Sequence, residues 1–338
     1  MILVLSQSSM EPTTEEVMDW IEALGGRCVR LNGDDLDGEA ALRITLDGQQ
    51  SCLEIAADGV ELPLSEIGAV WFRRWSHEWR HELAGLLASP SVDDDKLCYD
   101  LRRHLNSESR KLSDFVFSRF AGLPWLSHPR KSGLTKLDVL ARAARIGLAV
   151  PATLVTTERE ALRRFCAEHG TLITKPIADV DLFLDGERSH FLFTTALDLA
   201  AVDELPERFA PSLFQQQVAK EYELRVFYLD GECHAMAIFS QGDPQTRTDF
   251  RQYNHARPNR MVPFRLCAET QERLHLLMED LGLTTGSIDL LQAPDGREVF
   301  LEINPVGQFG MVSKPCNYRL EKKVADLLIR MEADGRRS

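Results

Sequence analysis

Three oxygen-bearing side chains late in the sequence could hold a metal ion: Asp289, Glu302 and Asn304. Glu302 and Asn304 alternate with Leu301 and Ile303 at strand period, so the two polar groups share one face. Asp289 lies in a second strand pattern, Ser287–Gln292, and Pro294-Asp295-Gly296 between the two reads as a hairpin turn. With a two-residue loop at Asp295-Gly296, residues 294 and 297 pair, and so do 289 and 302. Two carboxylates directly opposed are unfavourable unless a cation lies between them. Carboxylate, carboxylate and amide carbonyl suit Mg²⁺, which keeps its other positions for water and nucleotide phosphates. A three-residue loop with a bulge is the alternative, and a one-residue slip turns Asp289 to the other face.

Several elements must position this hairpin. The chain opens with a β-α-β pattern: Ile2–Leu5, a helix with Val17, Trp20, Ile21 and Leu24 on one face and Gly25 at its end, then Cys28–Leu31. Short strands are expected near 42–46, 51–55 and 69–72, and residues 77–123 read as mostly helical. Thr135 with Asp138 is the expected cap of a helix that Gly147 ends. Val150–Val155 is the next strand, Thr157 with Glu160 a capping box, and Leu172–Lys175 a further strand. Longer strands follow at 212–218, 222–230 and 233–240, the last two joined at Asp230-Gly231. Thr270 opens a helix carrying Leu274, Leu277, Met278 and Leu281, and a last helix covers about 317–331. The expected division is 1–122 as an N-terminal α/β domain with a helical insertion, 123–211 as a small central lobe, and 212–338 as an antiparallel C-terminal lobe with the metal site.

Composition narrows the function classes. Net charge is −13, which argues against general nucleic-acid binding. A local exception is the stretch 247–265, where Arg247, Arg251, Arg257, Arg260 and Arg265 accompany the single acid Asp249. No run approaches the about 18 apolar residues of a membrane span, so a cytoplasmic location without membrane contact is the default. Seven cysteines without a CxxC pair read as reduced thiols. Cys316 has no visible base beside it and reads as a buried thiol, and Trp71, Trp75 and Trp79 read as core.

The order of these features resembles the ATP-grasp superfamily over roughly residues 120–330. The resemblance implies an α/β fold with an N-terminal pre-ATP-grasp domain, ATP and Mg²⁺ as cofactors, and Asp289, Glu302 and Asn304 as metal ligands. It further implies that Lys136 and Lys175 contact nucleotide phosphates. Phe214–Val218, with Gln216, Gln217 and Val218, would be the hinge that meets adenine, and Glu223 the ribose acid. A narrower likeness to the graspetide synthetases, relatives of the microviridin ligases, rests on Phe300–Leu328, Val70-Trp71-Phe72-Arg73-Arg74 and Asp249-Phe250-Arg251. That likeness implies ATP-dependent phosphorylation of Asp or Glu side chains in a leader-bearing precursor peptide. Esters to Ser or Thr, or amides to Lys, then close macrocycles. The alternative is an ATP-grasp ligase for a small amino acid or a protein terminus. A homodimer stays open.

Two departures stand out. No glycine follows Lys175 until Gly186, where many relatives carry a glycine-rich loop, and Ser287 stands where small-substrate ligases carry an arginine. Joining a carboxylate to a triphosphate brings two anions together, and a guanidinium can clamp two oxygens at once. Arg225 and Arg251 are therefore the expected catalytic cations, with Arg247, Asp249 and Arg260 as expected substrate contacts.

Overall fold

The computed structural model describes residues 1–9, 11–37, 40–48, 50–57, 60–75, 95–178, 183–185, 188–190, 194–242, 256 and 258–336. Its contacts divide the chain into two units, residues 1–130 with 319–338, and residues 131–318.

In the first unit, Ile2–Ser6 forms β1, and all five residues are buried, as a parallel strand covered on both faces should be. Strands β2 (Cys28–Asn32), β3 (Ala40–Asp47), β4 (Gln50–Ala57), β5 (Val60–Glu61), β6 (Ala69–Phe72) and β7 (Trp125–Leu126) follow. A parallel sheet has the order β2-β1-β6-β7, and β3-β4-β5 form a separate antiparallel sheet. The helix Pro12–Ala23 begins with proline, where no backbone donor is lost, and buries Val17 and Ile21. It packs against the C-terminal helix Leu320–Gly335. Trp71 is buried, and Trp75 sets its ring against Phe117 and donates to Ser113 Oγ at 3.0 Å. The helix Asp95–Ser118 supplies part of the helical stretch expected over 77–123; positions 76–94, with Trp79, lie outside the described residues.

The second unit holds β8 (Thr153–Glu158), β9 (Leu172–Lys175), β10 (Phe183–Asp185), β11 (Arg188–His190), β12 (Thr195–Leu197) and β13 (Arg208–Gln216). It continues with β14 (Tyr222–Leu229), β15 (Glu232–Phe239), β16 (Arg260–Phe264), β17 (Thr285–Gln292) and β18 (Glu298–Asn304). A small sheet has the order β12-β9-β13-β8 and a larger one β16-β15-β14-β17-β18. β13 begins four residues earlier than expected; its pairing with β8 slips between Arg208 and Ser212, beside Pro211, so position 211 falls inside a strand. Asp230 and Gly231 both have positive φ, the tight hairpin turn that their types favour.

Under the larger sheet, Leu224, Val226 and Phe300 pack on Leu274 and Met278 of the helix Ala268–Leu281. Burying a side chain such as Phe300 contributes about 1.5–3 kcal/mol. Val139, Leu140 and Ala143 of the helix Lys136–Ile146 join the same core, and Phe300 N donates to Ala149 O at 2.8 Å. The chain around the small sheet is thereby tied to the edge of the larger one.

Helix starts differ from the expected caps. Thr135 makes no capping bond, and Asp138 pairs with Arg142 one turn on, at 2.9 Å. The Thr157–Glu160 box does not form; the next helix begins at Arg159 after Glu158, whose N–H donates to Thr156 Oγ1. Instead of one helix over 317–331 there are two, Gly310–Cys316 and Leu320–Gly335, broken where Asn317 and Arg319 take positive φ. Among the described residues no helix is long and apolar enough to cross a membrane.

Candidate functional site

Three neighbouring strands of the larger sheet put Arg225, Asp289 and Glu302 in one row: Arg225 pairs with Asp289, and Asp289 with Glu302. How β18 achieves this decides the site. The turn holds three residues between Ala293 and Arg297: Ala293 N donates to Arg297 O at 2.9 Å, Gly296 N to Ala293 O at 3.0 Å, and Gly296 has φ +88°. That register carries through Leu290 with Phe300, and on its own it would set Leu301 opposite Asp289. A bulge at Leu301 inserts one residue and returns Glu302 to that place. Both features of the alternative turn reading are present, and the second cancels the slip caused by the first. Phe300 and Ile303 keep to the core side, while Leu301 and Glu302 both line a cleft on the other face.

The cleft also takes β9 and β13 of the small sheet as walls. Arg225 Nη1 donates to both Asp289 oxygens, at 2.6 and 2.5 Å. Lys175 Nζ lies 3.4 Å from Glu302 Oε2. Two cations and two carboxylates thus form a closely spaced, largely buried set whose charges balance.

Gln216, Gln217 and Val218 line the cleft. The Gln216 and Gln217 N–H groups are already given to Ala152 O and Thr171 O, at 2.9 and 3.0 Å. Glu223 is buried in the wall, one carboxylate oxygen held by Lys220 and the other accepting from Ser240 Oγ. Lys220 and Ser240 are residues that sequence reasoning missed; Gln215 lies within the hinge segment Phe214–Val218 already read from the sequence. Lys220 had one available signal, its position three before the acid Glu223, a spacing that recurs in ion pairs.

Other expected site residues are placed elsewhere. Asn304 is exposed, does not line the cleft, and accepts from Val306 N at 3.1 Å through Oδ1. It heads a tight turn in which Gly307 N donates to Asn304 O and Ser287 Oγ to Gln308 O, both at 3.1 Å. Lys136 opens its helix and lies 3.4 Å from Ala178 O, in the loop after β9, and it does not line the cleft. Arg260 is exposed and sits over the Phe239 ring at 5.4 Å. Arg247, Asp249 and Arg251 lie outside the described residues. Cys316 is buried, which pushes its thiol up to about 11 and leaves it a poor nucleophile.

Asp289 and Glu302 fit a hard divalent cation. The two carboxylates stand opposite each other, while the Asn304 amide oxygen, two residues further along the strand, accepts from Val306 N outside the cleft lining. Among the described residues no group of three or more His, Cys, Asp or Glu side chains could hold a metal, so such an ion would draw on amide, water or phosphate oxygens as well.

Residues 1–114 match the family model of the MvdD pre-ATP grasp domain. The Chryseobacterium gregarium RiPP-associated ATP-grasp ligase, solved with ADP and a leader and core peptide, aligns with TM-score 0.83 at 22% identity over 97% of this chain and 96% of its own. The chain has the ATP-grasp fold. Macrocyclase MdnC from Microcystis aeruginosa MRC, bound to precursor peptide MdnA, aligns with this chain at TM-score 0.79 and 25% identity, over 97% and 99% of the two chains. PsnB, an ATP-grasp ligase solved with a phosphomimetic precursor variant, Mg and ADP, aligns at TM-score 0.71 and 24% identity, over 98% of both. A search of curated proteins finds no match.

Proposed function

We propose that this chain is an ATP-dependent peptide ligase that phosphorylates Asp or Glu side chains of a leader-bearing ribosomal precursor and joins them to Ser, Thr or Lys of the same peptide. The observation that carries this reading is the row Arg225–Asp289–Glu302, with Lys175 beside it, at one end of a cleft whose other end is apolar. Solved relatives of the same fold hold ADP and precursor peptides.

The chemistry follows from charge placement. Lys175 offsets charge on the triphosphate and steadies Glu302. Mg²⁺ held by Asp289, Glu302 and Asn304 would supply charge neutralisation at the phosphates. Arg225, poised on Asp289, is placed to hold the incoming carboxylate against the γ-phosphorus. A carboxylate oxygen then bonds to that phosphorus, the bond to the β–γ bridging oxygen breaks, and ADP departs with its electron pair. A hydroxyl or amine attacks the acyl carbon, loses its proton to solvent, and expels inorganic phosphate. Arg251 is the second cation in this proposal, with Arg247, Asp249 and Arg260 meeting the peptide, Lys136 the phosphates, and the hinge Gln216–Val218 and Glu223 the nucleoside.

Mass spectrometry of a co-expressed candidate precursor tests the reading through loss of one water per link. Glu302→Ala should abolish that loss with the circular dichroism spectrum unchanged. Retained water loss in this variant would refute the site assignment.

A further inference from the structure

We propose that Arg74 anchors an anion site in the first unit, which takes an Asp or Glu side chain of the peptide substrate. This rests on the peptide-ligase reading and adds a place where that peptide is held. The site uses Val70-Trp71-Phe72-Arg73-Arg74, of which no residue lines the nucleotide cleft.

Topology sets the place. The parallel sheet has the order β2-β1-β6-β7, so β1 is flanked by β2 on one side and by β6 on the other. Open parallel sheets take ligands at the carboxyl ends of the strands where the order reverses in this way. Here those ends are Ser6, which closes β1, and Arg73-Arg74, which follow β6; Arg73 N donates to Leu5 O at 2.9 Å. Leu3, Leu5 and Val70 pack with Val116 and Phe120 on one face, and alternation puts Ser6 and Arg73 on the other. Glu11, which precedes the helix Pro12–Ala23, reaches the same strand ends.

Glu11 holds both arginines. Its buried carboxylate lies 3.1 Å from Arg73 Nε and 2.9 Å from Arg74 Nε. Burial pulls the Arg73 guanidinium down to about 10 although Glu11 acts to raise it, so the cluster is no simple gain in stability. Arg73 is sealed in, whereas Arg74 is 31% exposed, and Glu11 is its one charged partner among the described residues. Held at Nε, Arg74 keeps its two terminal nitrogens for another group, and that fork matches the two oxygens of a carboxylate. Two hydroxyls of the same strand end and helix start, Ser6 Oγ and Thr13 Oγ1, are buried with no hydrogen-bond partner among the described residues. Buried polar atoms are normally paired, and a hydroxyl can donate to an incoming oxygen. The Glu11 anion repels a phosphate dianion about twice as strongly as a carboxylate, which favours the carboxylate.

The test is a titration of the full chain followed through its five tryptophan indole N–H signals by nitrogen-15 NMR, since Trp71 and Trp75 flank the two arginines. The probes are acetyl-Gly-Glu-Gly amide, its Gln counterpart and inorganic phosphate. The Glu peptide should shift the Trp71 and Trp75 signals, and the Gln peptide should not. Arg74→Met should weaken the Glu peptide by about 10-fold or more at these signals. Arg74→Lys, which keeps the charge without the fork, should weaken it by about threefold or more. Arg225→Met should leave this affinity within about twofold of wild type. Unmoved signals in wild type, equal affinity in Arg74→Met, or tighter binding of phosphate than of the Glu peptide overturns the site. Should Arg74→Met not fold, unchanged affinity in Arg74→Lys overturns it instead. The ligase reading fails separately, through retained water loss in Glu302→Ala, a result that leaves Arg74-dependent binding standing.

Discussion

Gly307 is the most economical place to perturb the turn that follows the acids. Its φ is unremarkable, so the position needs glycine for space alone. A Cβ there would lie 2.4 Å from Ser287 Cβ, 2.6 Å from Ser287 Oγ and 3.1 Å from Asn304 O. Ser287 is buried in β17, two residues before Asp289, and cannot swing aside. Relief needs a shift of about 1 Å, and overpacking of this kind costs about 1–3 kcal/mol. For a unit of this size each kcal/mol moves Tm by about 2–4 °C, so Gly307→Ala should melt about 2–12 °C lower. The same shift displaces Asn304, so affinity for ADP with Mg²⁺ should fall too. Differential scanning calorimetry and nucleotide titration read the two effects. Ser287→Gly removes both clashing atoms at its own cost of about 1 kcal/mol, and the double variant should be more stable than the sum of the singles. If Gly307→Ala melts within 1 °C of wild type, or the double variant is simply additive, the steric argument fails.

Further expectations concern charge. Arg225→Met leaves Asp289 opposite Glu302 without its two hydrogen bonds; with side chains 13% and 20% exposed, the loss should be about 1–3 kcal/mol in urea unfolding, below the value for a fully buried pair. Mg²⁺ should stabilise that variant more than it stabilises wild type. Lys220→Met leaves Glu223 with Ser240 as its one side-chain donor among the described residues and should cost about 2–4 kcal/mol in the same assay. At Glu332, burial raises the carboxyl pKa, but the hydrogen bond and charge of the Met1 ammonium and Arg336 outweigh it and hold it below the usual value of 4.5. A depressed folded-state value stabilises the fold above 4.5, and that contribution disappears as pH falls through the lowered value. Urea midpoints of wild type and Glu332→Gln should therefore differ at pH 7 and converge at low pH.

The sequence was most legible where one local rule governed. Asp230-Gly231 specified its hairpin because few other residue types accept those dihedrals. Pairing of Asp289 with Glu302 was readable, but the two-residue loop used to derive it does not exist; turn and bulge compensate, and no residue-type signal marks Leu301 as the extra residue. The caps expected at Thr135 and Thr157 do not form: Asp138 pairs with Arg142 one turn on, and the helix after Thr157 begins only at Arg159. β16 escaped notice because Pro263 interrupts its pattern, which its place at the edge of the sheet tolerates.

The first unit is closed by Leu320–Gly335, which returns after all of residues 131–318 have intervened. On a ribosome, the opening sheet therefore emerges long before the helix that covers it. The intervening segment holds every partner of its own core and can finish first. Assembly thus runs against reading order: the strands of residues 2–72 wait for a helix that begins only at Leu320.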